Sequence, residues 1–464
     1  SSRKRWLELS AVIGISRSSL QIRTLVVTEP GRKGRLSGSG SVSFAAAKPA
    51  ASLVRQPENL DLSAEIPSLP PVSGTFNLAG ALENYTGDFS LATAAKDWRA
   101  ARLAGSFSGN SAGADLTISR GAVIGGTLSG ALRARWKTGL SLSTALHGRN
   151  LNPARITPDW DGAVNFELSA KLESAAGNPT AATIEAYFPQ SRLRGRKLTG
   201  HLSAAILGRN VTIRKAFLQG RGFDIRASGE LARAIGFSAA VTDLAGIVPG
   251  AGGALRAQGE VRQRNRQTGL AASGQGENLR VGTVSAQSAS FTISLEAAAD
   301  RKISARATSR GVRVGNFQAE NVQFDASGTL ARHVIGLAVR SPDASLQAQV
   351  EGSYNSAAWQ ARLHRLAGRD RIGPWSLQQP ADIRISAAGV SSSPVILNGN
   401  PEERLEIRGA ATRRFTGGSV EAGWRNLNLA RIGQWLSGVR ITGSSSGRLS
   451  LSAPQKGAKS VSLS

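Results

Sequence analysis

Four histidines, one glycine-rich turn and two close acidic pairs are the residues of this chain whose types could do chemistry. A metal site or a positioned base needs ligands at short fixed spacing, as in His-x-x-x-His on one helix face. His147, His201, His333 and His364 lie 31 to 132 positions apart, so no such spacing exists, and they read as scattered polar-face side chains. Pro249-Gly250-Ala251-Gly252-Gly253 has no following Gly-Lys-Ser/Thr and reads as a turn, not a phosphate cradle. Asp159 and Asp161 flank Trp160, and Glu402-Glu403 fall in a turn; such pairs do not alone make a general acid and base. No Gly-x-Ser-x-Gly elbow is flanked as a strand-to-helix nucleophile requires. With no Cys there is neither a thiolate ligand nor a disulfide. The expectation is a protein that is not an enzyme, with no cofactor and no metal.

The elements that would have to position any site are strands. In 164–173 every even position except Ala170 carries a larger apolar side chain (Val164, Phe166, Leu168, Leu172) and every odd one is polar, the two-residue period of a strand with one dry face. The same period recurs at 140–147, at Phe291, Ile293 and Leu295, and at Val322, Phe324 and Ala326. Strand candidates follow one another every 10 to 16 residues between Gly, Asn-Gly, Pro or Ser-rich turns, the spacing of a long meander, barrel or solenoid. Segments 174–182 and 389–394 read as loops. Three segments also align: 151–156, 242–247 and 427–432, whose final Ile residues are 91 and 185 positions apart. They suggest a weak internal repeat of about 92 residues running through 1–464 as one continuous elongated region. In the last copy, Leu429, Ile432, Trp435 and Leu436 have helical spacing, which predicts a short amphipathic helix at 427–437.

Composition narrows the function. Aromatics are 5%, Met is absent and Gly numbers 53, too little core material for several dense globules. The alternation persists between the glycines, against a disordered polymer. The formal charge of +26 admits a polyanion partner. The arginines, however, stand singly on polar strand positions such as Arg133, Arg135, Arg214, Arg226, Arg306, Arg313, Arg384 and Arg408, which reads as a solvated face and not as a nucleic-acid site. Arg192 to Lys197 and Arg262 to Arg266 read as basic turns. No apolar run of roughly 18 residues is present, and the opening Ser1-Ser2-Arg3-Lys4-Arg5 looks like the start of an internal fragment.

The expected fold is therefore all-β: an elongated, curled, repetitive sheet, open β-helix-like, with an apolar inner groove and a few short helices. Roughly 30 to 40 strands at about 4.8 Å would extend on the order of 150 Å. The groove would be lined by Val164, Phe166, Leu168, Leu172, Phe291, Ile293, Leu295, Phe324, Ile383, Ile385, Leu405 and Ile407. An apolar strip of that size needs a ligand or partner. An extracellular β-solenoid, such as an adhesin or autotransporter passenger, is the alternative.

Trp359-Gln360-Ala361-Arg362-Leu363, Gly373-Pro374-Trp375 through Ala381, Leu405-Glu406-Ile407-Arg408-Gly409, Trp424-Arg425-Asn426-Leu427-Asn428-Leu429 and Trp435-Leu436 resemble the central region of the TamB family, within the wider AsmA-like group. Asp243-Leu244 with Pro249-Gly250, and Asn150-Leu151 with Pro158, are similar to its repeating turns. The resemblance implies a periplasmic β-taco reaching from an inner-membrane anchor, outside this fragment, toward a TamA-like outer-membrane barrel. It also implies phospholipid acyl chains as groove occupants, or a part in outer-membrane protein assembly; no nucleic-acid partner is expected, from the scattered arginines above.

Overall fold

A computed structural model gives the fold, and it describes residues 7–28, 34–44, 49–61, 63, 68–175, 177–298, 300–315, 317–355, 357–400, 402–412, 417–433, 441–453 and 460–464. The chain divides into two compact units, Ser1–Leu231 and Ala232–Ser464. The all-β expectation is met. The first unit holds fifteen strands among the described residues, from Glu8–Ile15 to Phe223–Glu230, and the second holds sixteen, from Ala234–Val241 to Ser460–Leu463. Helical structure is confined to three short pieces: Pro153–Arg155, Leu244–Gly246 and Ala430–Gly433.

Within each unit the paired strands run antiparallel in a meander, consecutive in sequence and in space. One position in the second unit is filled twice. Pro374–Leu377 and Ala381–Ser386 both pair with Ala358–Arg369 on one side and Gly389–Asn398 on the other, because Pro380 between them cannot donate to a ladder.

Turn chemistry follows the sequence. Arg194-Gly195 and Asn265-Arg266 each have φ above zero at both central residues, as a two-residue hairpin with matching twist requires, so each basic cluster straddles a hairpin turn, with Arg192, Arg196, Lys197, Arg262 and Arg264 on the flanking strands. Segment 389–394 is a correction: it is not a loop but the first half of strand Gly389–Asn398. Its Pro394 is accommodated because the register slips between Ser392 and Val395, a bulge at which no ladder donor is needed. The helix expected at 427–437 is shorter than its spacing suggested. Leu427 and Asn428 end strand Gly418–Asn428, and the helix itself is Ala430–Gly433; Trp435 and Leu436 lie outside the described residues.

Little of the chain is fully buried. Among the described residues half of the fourteen buried apolar ones are alanine, and no second layer of secondary structure among them covers either unit's strands with a thick core.

Candidate functional site

Directly opposed residues in an antiparallel pair share a face, so the register traces that face from strand to strand. In the first unit one row runs Leu53, Leu78, Gly87, Phe107, Leu116, Leu132, Thr144, Ala170 and Ile184, each opposite the next. A neighbouring row runs Phe76, Phe89, Gly105, Ile118, Gly130, Leu146, Leu168 and Ala186. In the second unit Phe291, Ala307, Phe324, Leu337, Ala348 and Leu366 follow one another, and Leu397, Leu405, Trp424 and Gly447 do so further along. Each unit thus carries its own apolar face, almost free of charge.

The expected groove residues sit on these faces at different depths. Val164, Phe166, Leu168, Leu172, Phe291, Leu295, Ile383 and Leu405 are half-buried, whereas Ile293, Phe324, Ile385 and Ile407 are exposed, Ile385 to 44%. The polar residues between them point the other way: Glu167, Ser169, Lys171 and Glu173 are exposed.

An aromatic-poor chain covers so wide a face by laying rings over glycines. Gly87 stands opposite Phe107, Gly105 opposite Phe89, Gly148 opposite Phe166, Gly274 opposite Phe291, Gly368 opposite Trp375 and Gly447 opposite Trp424. A Cβ on Gly148 would lie 2.3 Å from the Phe166 ring, on Gly87 2.4 Å from Phe107, and on Gly368 2.4 Å from Trp375. Each ring therefore occupies the volume a neighbour's side chain would otherwise take, and the face stays low and smooth. In the sequence alone these glycines read as punctuation between strands, which does not reveal this use. The pattern was present as Gly alternating with apolar residues at strand parity, but only the register shows which ring meets which glycine.

His333 is a second correction. It is buried, not on the polar face, and shares strand parity with Ile335 and Leu337. The Trp359 indole Nε1–H donates to His333 Nε2 at 2.7 Å, and His333 Nδ1 lies 3.0 Å from the Thr329 carbonyl oxygen. The indole can only donate, so Nε2 must accept and Nδ1–H donates to Thr329. A buried indole N–H on an apolar face needs an acceptor, and this histidine supplies it.

The opposite face is polar and its charges pair in water. Asp115 lies between Arg133 and Arg135 at 3.0 and 2.9 Å, Arg362 meets Asp382 at 3.0 Å, and Arg408 meets Glu421 at 2.5 Å. The hydrogen bond from Arg135 leads in holding the Asp115 carboxyl below the usual range. Such exposed pairs contribute little to stability.

One ion cluster is different because it is buried. Arg431, on the helix Ala430–Gly433, places Nη1 2.6 and 2.5 Å from the two Asp370 oxygens, and its Nε lies 2.9 and 3.0 Å from those of Glu403. Nη1 also reaches the Gly373 carbonyl at 3.2 Å, and the Asn428 amide donates to Glu403 at 2.9 Å. Burial opposes charging of Glu403, yet the Arg431 and backbone donors outweigh it and hold the carboxyl below its ordinary range. Burial likewise opposes the Arg431 charge, and its two carboxylate partners raise it above the ordinary value. Glu403 was visible in the sequence as half of a turn pair. Its partners, 28 and 33 residues away, were not.

The family model for the TamB N-terminal domain matches residues 56–462, close to the whole chain. No curated protein and no solved structure is a significant match. No helix among the described residues is long and apolar enough to cross a membrane, and no group of three or more His, Cys, Asp or Glu among them is placed to hold a metal.

Proposed function

The chain belongs to the TamB family, and from that membership and its apolar sheet faces we propose that it carries phospholipid acyl chains along those faces between the inner and outer membranes. The observation that supports this reading most is the register: rows of apolar side chains continue across strand after strand while only scattered positions are buried. A monomeric soluble protein rarely leaves so large an apolar area without an occupant. Acyl chains suit it because they are long, linear and held by contact alone. At about 0.8 kcal/mol per methylene, two ordinary acyl chains would cost on the order of 20 kcal/mol to hold in water. A dry strip lowers that barrier without supplying direction, which must come from elsewhere.

In this reading Val164, Phe166, Leu168 and Leu172, and in the second unit Phe291, Ile293, Leu295, Phe324, Ile383, Ile385, Leu405 and Ile407, touch the tails. Headgroups stay in water beyond the sheet edges. The periplasm is the compartment, with an inner-membrane anchor and an outer-membrane barrel partner contacted through other parts of the protein. Assembly of outer-membrane proteins, whose nascent strands are also half apolar, is the companion role within the same family module. A coiled solenoid passenger is disfavoured, since its rungs would pair in parallel and every pairing among the described residues is antiparallel.

The test is a charge on the dry face. Leu168→Asp or Phe166→Arg leaves backbone pairing unchanged but forces a passing tail to desolvate a charge, at a cost of several kcal/mol. Photocrosslinked lipid and lipid retained in native mass spectra should fall, while Lys171→Glu on the wet face should change little. Equal capture in Leu168→Asp and the parent, with loss in Lys171→Glu, would replace the tail-binding face by a headgroup-binding outer surface.

A further inference from the structure

The polar face of the second unit does not neutralise itself everywhere. Arg310, Asn321, Arg340, Ser345 and Arg369 stand each opposite the next on five consecutive strands, Lys302–Val314, Phe317–Thr329, His333–Arg340, Ser345–Asn355 and Ala358–Arg369. The three arginines lie three residues along the chain from Ala307, Leu337 and Leu366 of the apolar row, an odd step that puts them on the opposite face. All three are exposed. At about 4.8 Å per strand, successive arginines are about 9.6 Å apart in one line. In the chain they are 30 and 29 positions apart, so only the register brings them together.

Elsewhere on this face arginines meet carboxylates, as Arg362 meets Asp382 and Arg408 meets Glu421. Here they do not. Among the described residues no carboxylate pairs with Arg310, Arg340 or Arg369, and the acids nearest in sequence to the last two are committed, Asp343 to Arg371 and Asp370 to Arg431. The adjacent row on the same face is uncharged: Ser290, Thr308, Gln323 and Gln347 fill four places and Ala338 and Ala367 the other two. Glu277, opposite Ser288, and Asp325, two residues past Gln323, bound this carboxylate-free strip.

Charge and spacing select the partner. A line of unpaired guanidiniums suits a linear polyanion, and their fork geometry suits carboxylates. Carboxylates on one side of an extended peptide recur at about 6.6 Å, out of step with the arginines. Single-stranded nucleic acid is held by aromatic stacking, and neither row has an aromatic side chain. An extended β-linked glycan presents the same substituent on one side once per disaccharide, a length close to two strand spacings. Its hydroxyls can also pair with the neutral amides and hydroxyls of the adjacent row.

We propose that this face of the second unit binds an extended β-linked polysaccharide bearing one carboxylate per disaccharide, with Arg310, Arg340 and Arg369 taking successive carboxylates and the neighbouring Ser, Thr and Gln side chains taking hydroxyls. The strip lies on the face away from the apolar rows, so the proposal stands apart from the tail-carrying reading.

The experiment measures, by fluorescence anisotropy at low salt, binding of the full chain to a labelled hyaluronan fragment of about four disaccharides, longer than the roughly 19 Å the three arginines span. Arg340→Ser should weaken binding up to about fivefold, and the triple variant Arg310→Ser, Arg340→Ser, Arg369→Ser on the order of tenfold or more. These positions are exposed, so urea melts of the variants should match the parent. Removing the same charge from one other strand, with Arg256→Ser, Arg262→Ser and Arg264→Ser, should change binding less than about twofold.

A neutral chito-oligosaccharide of equal length should bind about tenfold more weakly than hyaluronan, and polyglutamate matched in carboxylates should also bind more weakly. Equal losses in the two triple variants would reduce the effect to net charge and overturn the proposal, as would unchanged binding in the first. Polyglutamate binding as tightly as hyaluronan would show that spacing is not read and would remove the glycan. Tighter binding of a single-stranded oligonucleotide, or of phosphatidylglycerol vesicles, would replace the glycan by nucleic acid or by a membrane surface.

Discussion

The crossings at Pro153–Arg155 and Ala430–Gly433 are built from the same short phrase and held in place very differently. In each an Asn caps the turn, Asn152 accepting from the Ala154 amide at 2.9 Å and Asn428 from the Ala430 amide at 3.0 Å, and in each an Arg stands three residues after that Asn. Arg431 is buried between Asp370 and Glu403. Arg155 is exposed, and among the described residues no carboxylate pairs with it. The middle crossing, Leu244–Gly246, has a cap from Asp243 but Gly246 at the Arg position, so it has no side chain to anchor. Local sequence forms the turn in all three. Distant acidic residues decide whether the turn is pinned.

That contrast is broken most directly by removing the guanidinium. Arg431→Met leaves two carboxylates buried without a counter-ion, and losing one partner of a buried pair costs about 3–5 kcal/mol. Arg155→Met removes an exposed charge and should cost below about 0.5 kcal/mol. Urea unfolding followed by tryptophan fluorescence gives both values. Similar losses at the two sites would mean that Arg431 acts through its packed stem and not through its charge.

The glycine pockets sharpen the comparison on the face itself. Gly87→Ala would press a methyl within 2.4 Å of the Phe107 ring and 2.0 Å of the Asn77 carbonyl, an overpacking cost of about 1–3 kcal/mol. Gly423→Ala meets nothing within 4 Å and should be neutral or slightly stabilising. Equal melting temperatures for the two variants would show that the rings are free to lift off their glycines.

Much of the fold was legible because its cause is local. A period of two in 164–172 needs only the chain itself to be read, and burial follows it, with Glu167, Ser169 and Lys171 exposed and Phe166, Leu168, Ala170 and Leu172 half-buried. The misreadings have non-local causes. Ser391-Ser392-Ser393-Pro394 has loop composition, and only pairing with Ala381–Ser386 and Arg404–Thr412, together with a bulge, makes it a strand. His333 reads as polar until Trp359, 26 residues on, is seen to need its lone pair. The Arg431 cluster joins residues up to 61 positions apart, a spacing that no motif encodes.

The smallest expected effect is a response to acid, and it tests whether the pinned crossing is held by ionised Glu403. Its carboxyl is held below the usual range in the folded chain, by Arg431 and backbone donors acting against burial. A group with a depressed folded pKa stabilises fully above its unfolded value, near 4.3, and that contribution is lost as pH falls through the folded value. At neutral pH nothing should change. Below about pH 4.3, amide exchange at 428–431 should quicken progressively, while exchange at 152–155, where no buried carboxylate holds the turn, should show no matching step. Asp115, also depressed by its arginines, will titrate in the same region, so the global melt cannot separate the two. Glu403→Gln can: it keeps the side-chain length and removes the titration, so its 428–431 exchange should be faster at neutral pH and no longer accelerate in acid. An acid step that survives in Glu403→Gln would place the titrating group elsewhere and leave the crossing pinned by packing.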